Sequence, residues 1–583
     1  MEDELLGDCA RFVDWNVMPR GISRPSPEDV PLPITMVRQL KQQARQGRWA
    51  KNHKLRAVVY HSIIKALPCR VVTPDADVYR DWAAQRGAKS ALDAFPKRLP
   101  VFAKGVNPPV YCLTSEGHAA TWHVLLAIEV HFPDVTYCPA LPGVIALLAH
   151  FLPGEPELFE AVSRLLACTD ASLHLLDQTF RANEASCMTF ADLVNKYSTG
   201  AHRVVAARCS SVLEVYSDWL TWLFEDLPFE YTACVFDSFL LEGHKVLYRA
   251  GLALLKFYKT SVKAKTLAHL DAGNGLRAEV RGFVRNIAWH TIPDHLMERA
   301  FGVRLLSRKE ISLLRHANEH ALLARGVTRR PSRQPMHLFV EIHKVLSDVV
   351  NEQQLRGLWP WLPERFALQQ PWLVFSTNQH GYSLSRFYMH CDGHSPTLML
   401  IKTINKEVCG AYLSSDWAER KKECNRGLTF FGTGECFVFR LHPEVERYEW
   451  IIIHRPELAM AKAETWTDPA EDAEQMATSE KLLQTKHENA TDHEHPDARQ
   501  IGGLSPFLAT RHFKLPSKSA SMFMFGSNDF IIIGGGDGEA LHIDGDLDHG
   551  RSSHCNTFDN PPLCSENFRI QVLEVWAFGN AQP

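Results

Sequence analysis

Residues Asp218 to Phe257, DWLTWLFEDLPFEYTACVFDSFLLEGHKVLYRAGLALLKF, constrain this chain more than any other stretch. Val235, Phe236, Phe239, Leu240, Leu247, Leu252, Leu255 and Phe257 recur at helical spacing. Pro228 ends one helix and Gly243 parts the next two. The spacing predicts a helix, a sharp turn and two further helices buried on most faces. Periodicity alone fits a core hairpin in any all-α domain.

Helical patterning surrounds this stretch. Residues 1–33, rich in proline and acidic residues, read as a flexible lead-in, and helix begins at Ile34. The run from Ile34 carries Arg38, Lys41, Arg45, Arg48, Lys51, Lys54 and Arg56, with Lys41 and Arg45 on one helical face. Such a run is commonly a solvated basic face and alternatively an anion site. Residues 75–110 read as loop-rich, and apolar helices follow at about 115–131 and 139–152. Arg277, Arg281 and Arg285 recur at four-residue steps, and residues 308–326 read as a last exposed helix closing at Gly326.

The pattern changes after the basic, proline-bearing linker at 328–345. Short β runs follow: TLMLIKT, VCGAYLS, CFVFRL, YEWIII, DFIIIGG, ALHID and IQVLEVWAF. The insertion at 457–502 is charged and nearly free of large apolar residues, so it is expected to be disordered.

A net charge of -4 gives no global case for nucleic-acid binding, so an anionic partner must be met by a local basic patch. The 14 cysteines include no C-x-x-C pair, which argues against a zinc ribbon, and no leader is evident, which points to the reducing cytoplasm. Asp544, Asp546 and Asp548 imitate the start of a calcium loop, but Cys555 stands where the bidentate glutamate belongs. The run Gly534 to Gly538 leads to a strand rather than a helix, unlike a dinucleotide loop. No metal and no cofactor is expected.

Trp222, Phe224, Leu227-Pro228, Asp237, Phe239, Glu242-Gly243, Leu247 and Arg249 resemble the signature of TBC domains, the GTPase-activating modules that act on Rab-type GTPases. The second half resembles a TLDc domain through SLSRFY (383–388), GAYLSSDW (410–417), FFGTGECFVF (430–439), ALHIDGDLDHGRSSHCNTFDN (540–560) and VLEVWAF (572–578). Together they are similar to the Skywalker-type TBC–TLDc family of synaptic vesicle trafficking. The implied fold is multidomain: an all-α TBC domain over 34–327, then an α+β TLDc domain over 346–583, a β-sandwich with flanking helices.

The resemblance also says what catalysis requires. Active TBC domains supply an arginine from I-x-x-D-x-x-R and a glutamine from Y-x-Q. The first motif falls on Ile63–Cys69, where Ala66 replaces the aspartate and Cys69 the arginine; Arg70 is one residue late. At a helix end that slip turns a side chain by about 100°. The second falls on Tyr137-Cys138-Pro139, where proline replaces the glutamine. Dual-finger catalysis is therefore expected to be absent or very weak, with Arg70 the remaining candidate finger. The family's cationic pocket for inositol phosphates would fall on Lys41, Arg45, Arg249, Arg281 and Arg285.

The expected function is a peripheral, phosphoinositide-binding regulator on vesicle or plasma membrane, presynaptic in a neuron, that engages Rab or Arf GTPases. Two alternatives stay open. One is an active GTPase-activating protein for Rab GTPases. The other is oxidative-stress protection or regulation of the vacuolar proton pump through the TLDc half.

Overall fold

The computed structural model describes residues 11–18, 35–49, 53–86, 100–103, 108–173, 178–209, 211–264, 275–327, 345–367, 369–421, 430–455 and 521–579. Most of the lead-in, the core of the 328–345 linker and the whole 457–502 insertion lie outside them. The chain divides into two units, Met1–Arg308 with Val327–His337, and Lys309–Gly326 with Leu338–Pro583.

Among its described residues the first unit is helical. The helices used below are α1 (Val37–Arg45), α2 (His53–Lys65), α3 (Glu155–Ala167), α4 (Phe180–Tyr197), α5 (Phe229–Glu242), α6 (His244–Ala264), α7 (Leu276–Arg285) and α8 (Pro293–Phe301). The stretch predicted to anchor the fold does form the centre. A π-turn at Trp222–Asp226 leads through Pro228 into α5, and Gly243 separates α5 from α6. Gly243 has φ +72°, and a Cβ there would sit 2.1 Å from the carbonyl oxygen of Ser172. Only glycine meets both demands. Trp219 stacks between Phe190 of α4 and Tyr248 of α6, at ring-centroid distances of 5.0 and 4.6 Å.

One helix went unread in the sequence. Ala76–Arg86 occupies the stretch expected to be loop, because the Asp75 carboxylate accepts from the backbone N–H groups of Asp77 and Val78 and starts the first turn.

The second unit is sheet-rich and antiparallel among its described residues. Its strands are β1 (Gln370–Ser376), β2 (Thr397–Thr403), β3 (Val408–Leu413), β4 (Phe437–His442), β5 (Glu446–Glu449), β6 (Met524–Gly526), β7 (Phe530–Ile533), β8 (Leu541–Asp544), β9 (His549–Arg551) and β10 (Asn567–Gly579). They run β5-β4-β3-β2-β10-β9-β8-β7-β6, with β1 on the other side of β10. β10 thus joins both halves: its later residues pair with β1 and β2, its first three with β9. Leu358, Phe366, Leu398, Tyr412, Phe439 and Trp576 are among the apolar side chains packed over one face. The YEWIII run splits: β5 ends at Glu449, and Ile451–His454 is one helical turn. The helix Arg308–Ala324, expected at the surface, buries Ile311, Leu314, Ala321 and Leu322. Among the described residues no helix is long and apolar enough to cross a membrane.

Candidate functional site

Both finger positions connect to the C-terminal end of α3, the second through Gln178. Cys69 sits just past α2, its backbone paired antiparallel with that of Cys168 beyond α3; both thiols are free, and that of Cys69 donates to the Arg164 carbonyl at 3.4 Å. Burial pushes that thiol up from its ordinary value. Tyr137 donates its N–H to the Gln178 carbonyl at 3.1 Å, and the Gln178 side-chain amide donates to the Leu166 carbonyl at 3.0 Å. Cys138 is buried and Pro139 half-buried. Neither position offers a side chain with more than a weak donor.

Arg70, the next residue, has an exposed side chain. Its N–H donates to the Ala167 carbonyl at 3.1 Å, which fixes the backbone of that turn. An arginine that the motif did not reveal stands close by. Arg164, on α3, donates to the carbonyls of Ile64 at 2.9 Å, Lys65 at 2.6 Å and Leu67 at 3.1 Å. It caps the C-terminal end of α2, where unpaired carbonyls concentrate negative charge.

The basic residues predicted to converge fall into two sets. In the first, α1, α6 and the segment after α8 meet around Glu242. Arg45 makes a bidentate pair with the Glu242 carboxylate, both contacts at 2.5 Å. The Phe301 ring lies 4.5 Å from the Arg45 guanidinium carbon and 5.3 Å from that of Arg249. Arg249 donates to the Val303 carbonyl at 3.1 Å, and its Nε is buried with no partner. Arg308 donates to the backbone carbonyl of Glu242 at 2.9 Å.

Two lysines complete this set. Burial, aided by Arg249, Arg308 and Arg45 and opposed by Glu242, pushes the Lys245 ammonium down to about 8. Burial also lowers Lys41, against the attraction of Glu242. Lys41, Arg45, Lys245 and Arg249 therefore share the charge of the Glu242 carboxylate, and Arg308 joins them through the Glu242 backbone carbonyl. Lys245 and Arg308 escaped the sequence reading. The signal for Lys245 was its four-residue spacing from Arg249, which repeats that of Lys41 and Arg45.

Arg281 and Arg285 belong to the second set. They line one face of α7 as predicted, but that face meets the π-turn. Arg281 donates to Asp226 at 2.7 and 3.0 Å and to Glu225 at 2.8 Å; Arg285 donates to Asp226 at 2.8 Å. The Asp226 side chain is fully buried. Arg277 pairs with Asp218 at 2.5 and 2.6 Å. Burial opposes the charge of Arg281, yet Asp226 outweighs it and holds the guanidinium up. Arg281 and Arg285 thus form an ion-pair ladder with Asp226 and Glu225, whereas the first set gathers around Glu242. Arg56, from the basic run, is likewise fully buried against Asp237.

In the second unit a cavity of about 570 Å³ is lined by Phe430, Met522, Ile532, Gly536, Arg551 and Glu566 among others. Asp548 pairs with Arg569 at 2.9 Å. No group of His, Cys, Asp or Glu suited to a metal occurs among the described residues.

Comparison with known proteins follows the same division. The Rab-GTPase-TBC domain model matches residues 111–263, and the TLDc domain model matches 344–464 and 504–579. TBC1 domain family member 24 of Xenopus tropicalis is 51% identical over 578 residues, 99% of this chain and 98% of that one. The GTPase-activating protein skywalker of Drosophila melanogaster is 28% identical over 576 residues, 93% of this chain and 87% of that one. The solved TBC domain of Drosophila melanogaster Skywalker in complex with inositol(1,4,5)triphosphate aligns with 47% of this chain and 94% of that chain, at 23% identity and a TM-score of 0.41.

Proposed function

Since the chain belongs to the family of TBC1 domain family member 24, with a TBC and a TLDc domain in tandem, we propose that it is a peripheral regulator of vesicle trafficking. It reads the phosphate groups of membrane phosphoinositides through Lys41, Arg45, Lys245, Arg249 and Arg308, and it engages small GTPases of Rab or Arf type without dual-finger catalysis. The observation that carries this reading is Lys245. It is a desolvated ammonium among three arginines, with one carboxylate opposing them. Gathering like charges out of water is unfavourable until an anion joins them. A multiply charged phosphate supplies that anion, and arginine forks match its oxygens.

The reading without catalysis is supported by Cys69, whose thiol is turned to a backbone carbonyl, and by Pro139 at the glutamine position. The second reading, an active GTPase-activating protein, is favoured by one feature: the exposed side chain of Arg70 on the finger turn. The location on vesicle or plasma membrane follows from the lipid reading, and a proton-pump or oxidative-stress role rests on the TLDc half alone.

Isothermal titration of the full chain with soluble inositol trisphosphate tests the phosphate reading. Saturable binding that weakens in Arg45→Ala and Lys245→Ala is the expected result. Unchanged binding in both variants overturns the assignment.

A further inference from the structure

Trp289 is 82% exposed and Ile292 51%, on the turn that links α7 to α8. Both are large apolar side chains left in water on one short turn. The turn is anchored by burial and hydrogen bonds. Ile287 beneath it is fully buried, the Trp289 N–H donates to the Asn286 carbonyl at 3.1 Å, and the Tyr231 hydroxyl donates to the Thr291 carbonyl at 2.6 Å. The turn is thus tied to the helical unit while the indole stays exposed.

What lies at the other end of α8 identifies the occupant. α8 begins one residue after Ile292 and ends at Phe301, the ring beside the guanidinium groups of Arg45 and Arg249. A nine-residue helix is about 13 Å long, so the exposed apolar pair and the cation cluster sit at two ends of one short helix. Between them α8 exposes Asp294, His295, Glu298 and Arg299. We propose that Trp289 and Ile292 are a wedge that enters the interfacial layer of an anionic membrane while the Glu242 cluster holds a lipid phosphate.

Indole is suited to that layer, having a large apolar body and one N–H donor. The patch exposes on the order of 300 Å², well short of the roughly 800 Å² per partner of a stable protein interface. Shallow insertion needs no more than this when cations supply the long-range attraction. The proposal rests on the phosphate reading for the membrane's orientation, but the wedge has its own readout.

The experiment uses the full chain with phosphatidylcholine vesicles carrying phosphatidylinositol bisphosphate, with and without lipids brominated along the acyl chain. Trp289→Ala should bind soluble inositol trisphosphate as the unsubstituted protein does, yet partition onto vesicles roughly tenfold more weakly. Brominated lipid should quench part of the tryptophan emission, and Trp289→Phe should abolish that part. Quenching and partition unaltered by both substitutions overturn the proposal. So does a loss confined to GTPase binding with vesicle partition intact, which would make the turn a protein contact. If soluble headgroup does not bind at all, the phosphate reading falls. Brominated phosphatidylserine vesicles then test the wedge alone: Trp289-dependent quenching supports it and its absence overturns it.

Discussion

Arg56 and Asp237 form a buried bidentate ion pair, Nε to Oδ1 at 2.9 Å and Nη2 to Oδ2 at 2.8 Å, with side chains 2% and 0% exposed. It ties α2 to α5, and the Tyr60 hydroxyl donates to the same carboxylate at 2.7 Å. Burial pushes the Asp237 carboxyl up against the pull of Arg56. Removing one partner strands the other charge in the core. Asp237→Ala or Arg56→Ala should each destabilise the TBC unit by about 3–5 kcal/mol, and Tyr60→Phe by about 1 kcal/mol. Chemical denaturation followed by circular dichroism checks the order.

The two arginine sets should respond differently to substitution. Arg45→Ala and Lys245→Ala should each weaken inositol trisphosphate binding by roughly tenfold and leave stability nearly unchanged. Arg281→Ala should leave binding unchanged and cost about 1–3 kcal/mol, since it deprives buried Asp226 of charged donors. Titration calorimetry paired with thermal melts separates these. Loss of binding in Arg281→Ala would place the phosphate on the ladder instead.

Lys245 makes that binding pH-dependent. Its ammonium is held down to about 8 in the free protein, and a bound phosphate would draw it upward. The lysine then takes up protons on binding near and above pH 8, and affinity should fall as pH rises through that value. Calorimetry in buffers of different ionisation enthalpy measures the uptake. In Lys245→Met it should vanish.

Hydrolysis by a partner GTPase should be stimulated far less than the roughly 10³–10⁵-fold an arginine finger supplies. Single-turnover assays against a Rab and Arf panel check this. Arg70→Ala should change nothing. Strong stimulation lost in that variant would restore the enzyme reading.

Acid should loosen the core at His53 and His150. Burial lowers them to about 4 and about 3, in a chain of contacts from His53 Nε2 to the His150 carbonyl and from His150 to the Tyr111 carbonyl. A histidine whose folded value lies below its unfolded one contributes no penalty above the unfolded value. The penalty appears as pH falls below about 6.5 and grows toward the folded value. At pH 5 it should approach about 2 kcal/mol for each histidine. His150→Phe, at a ring stacked 4.1 Å from Phe229, should flatten the decline in melting temperature between pH 7 and 5.

The sequence exposed the elements better than their partners. Trp222, Pro228 and Gly243 are legible because each enforces a local geometry: a buried aromatic, a helix stop, a positive φ. The runs at β2, β3, β4 and β10 are legible through their dense β-branched, apolar and aromatic residues. Ala76–Arg86 is not, because a single carboxylate at Asp75 starts it. The site divides in the same way. Spacing puts Arg281 and Arg285 on one face of a helix, but what that face meets is decided by a π-turn bearing Asp226, far away in sequence. Arg308 is invisible for the converse reason: its contact is to a backbone carbonyl, which carries no letter.

Arg164 makes the end of α2 depend on a cation that another helix supplies. Three carbonyls at the end of α2 now depend on its guanidinium. An arginine introduced at Cys69, whose thiol faces the Arg164 carbonyl, would arrive as a second cation in a place already neutralised. It would have to compete for those acceptors or displace their cap. An arginine finger at this position would therefore call for change on two helices at once: the new side chain after α2 and a new arrangement of the cap on α3.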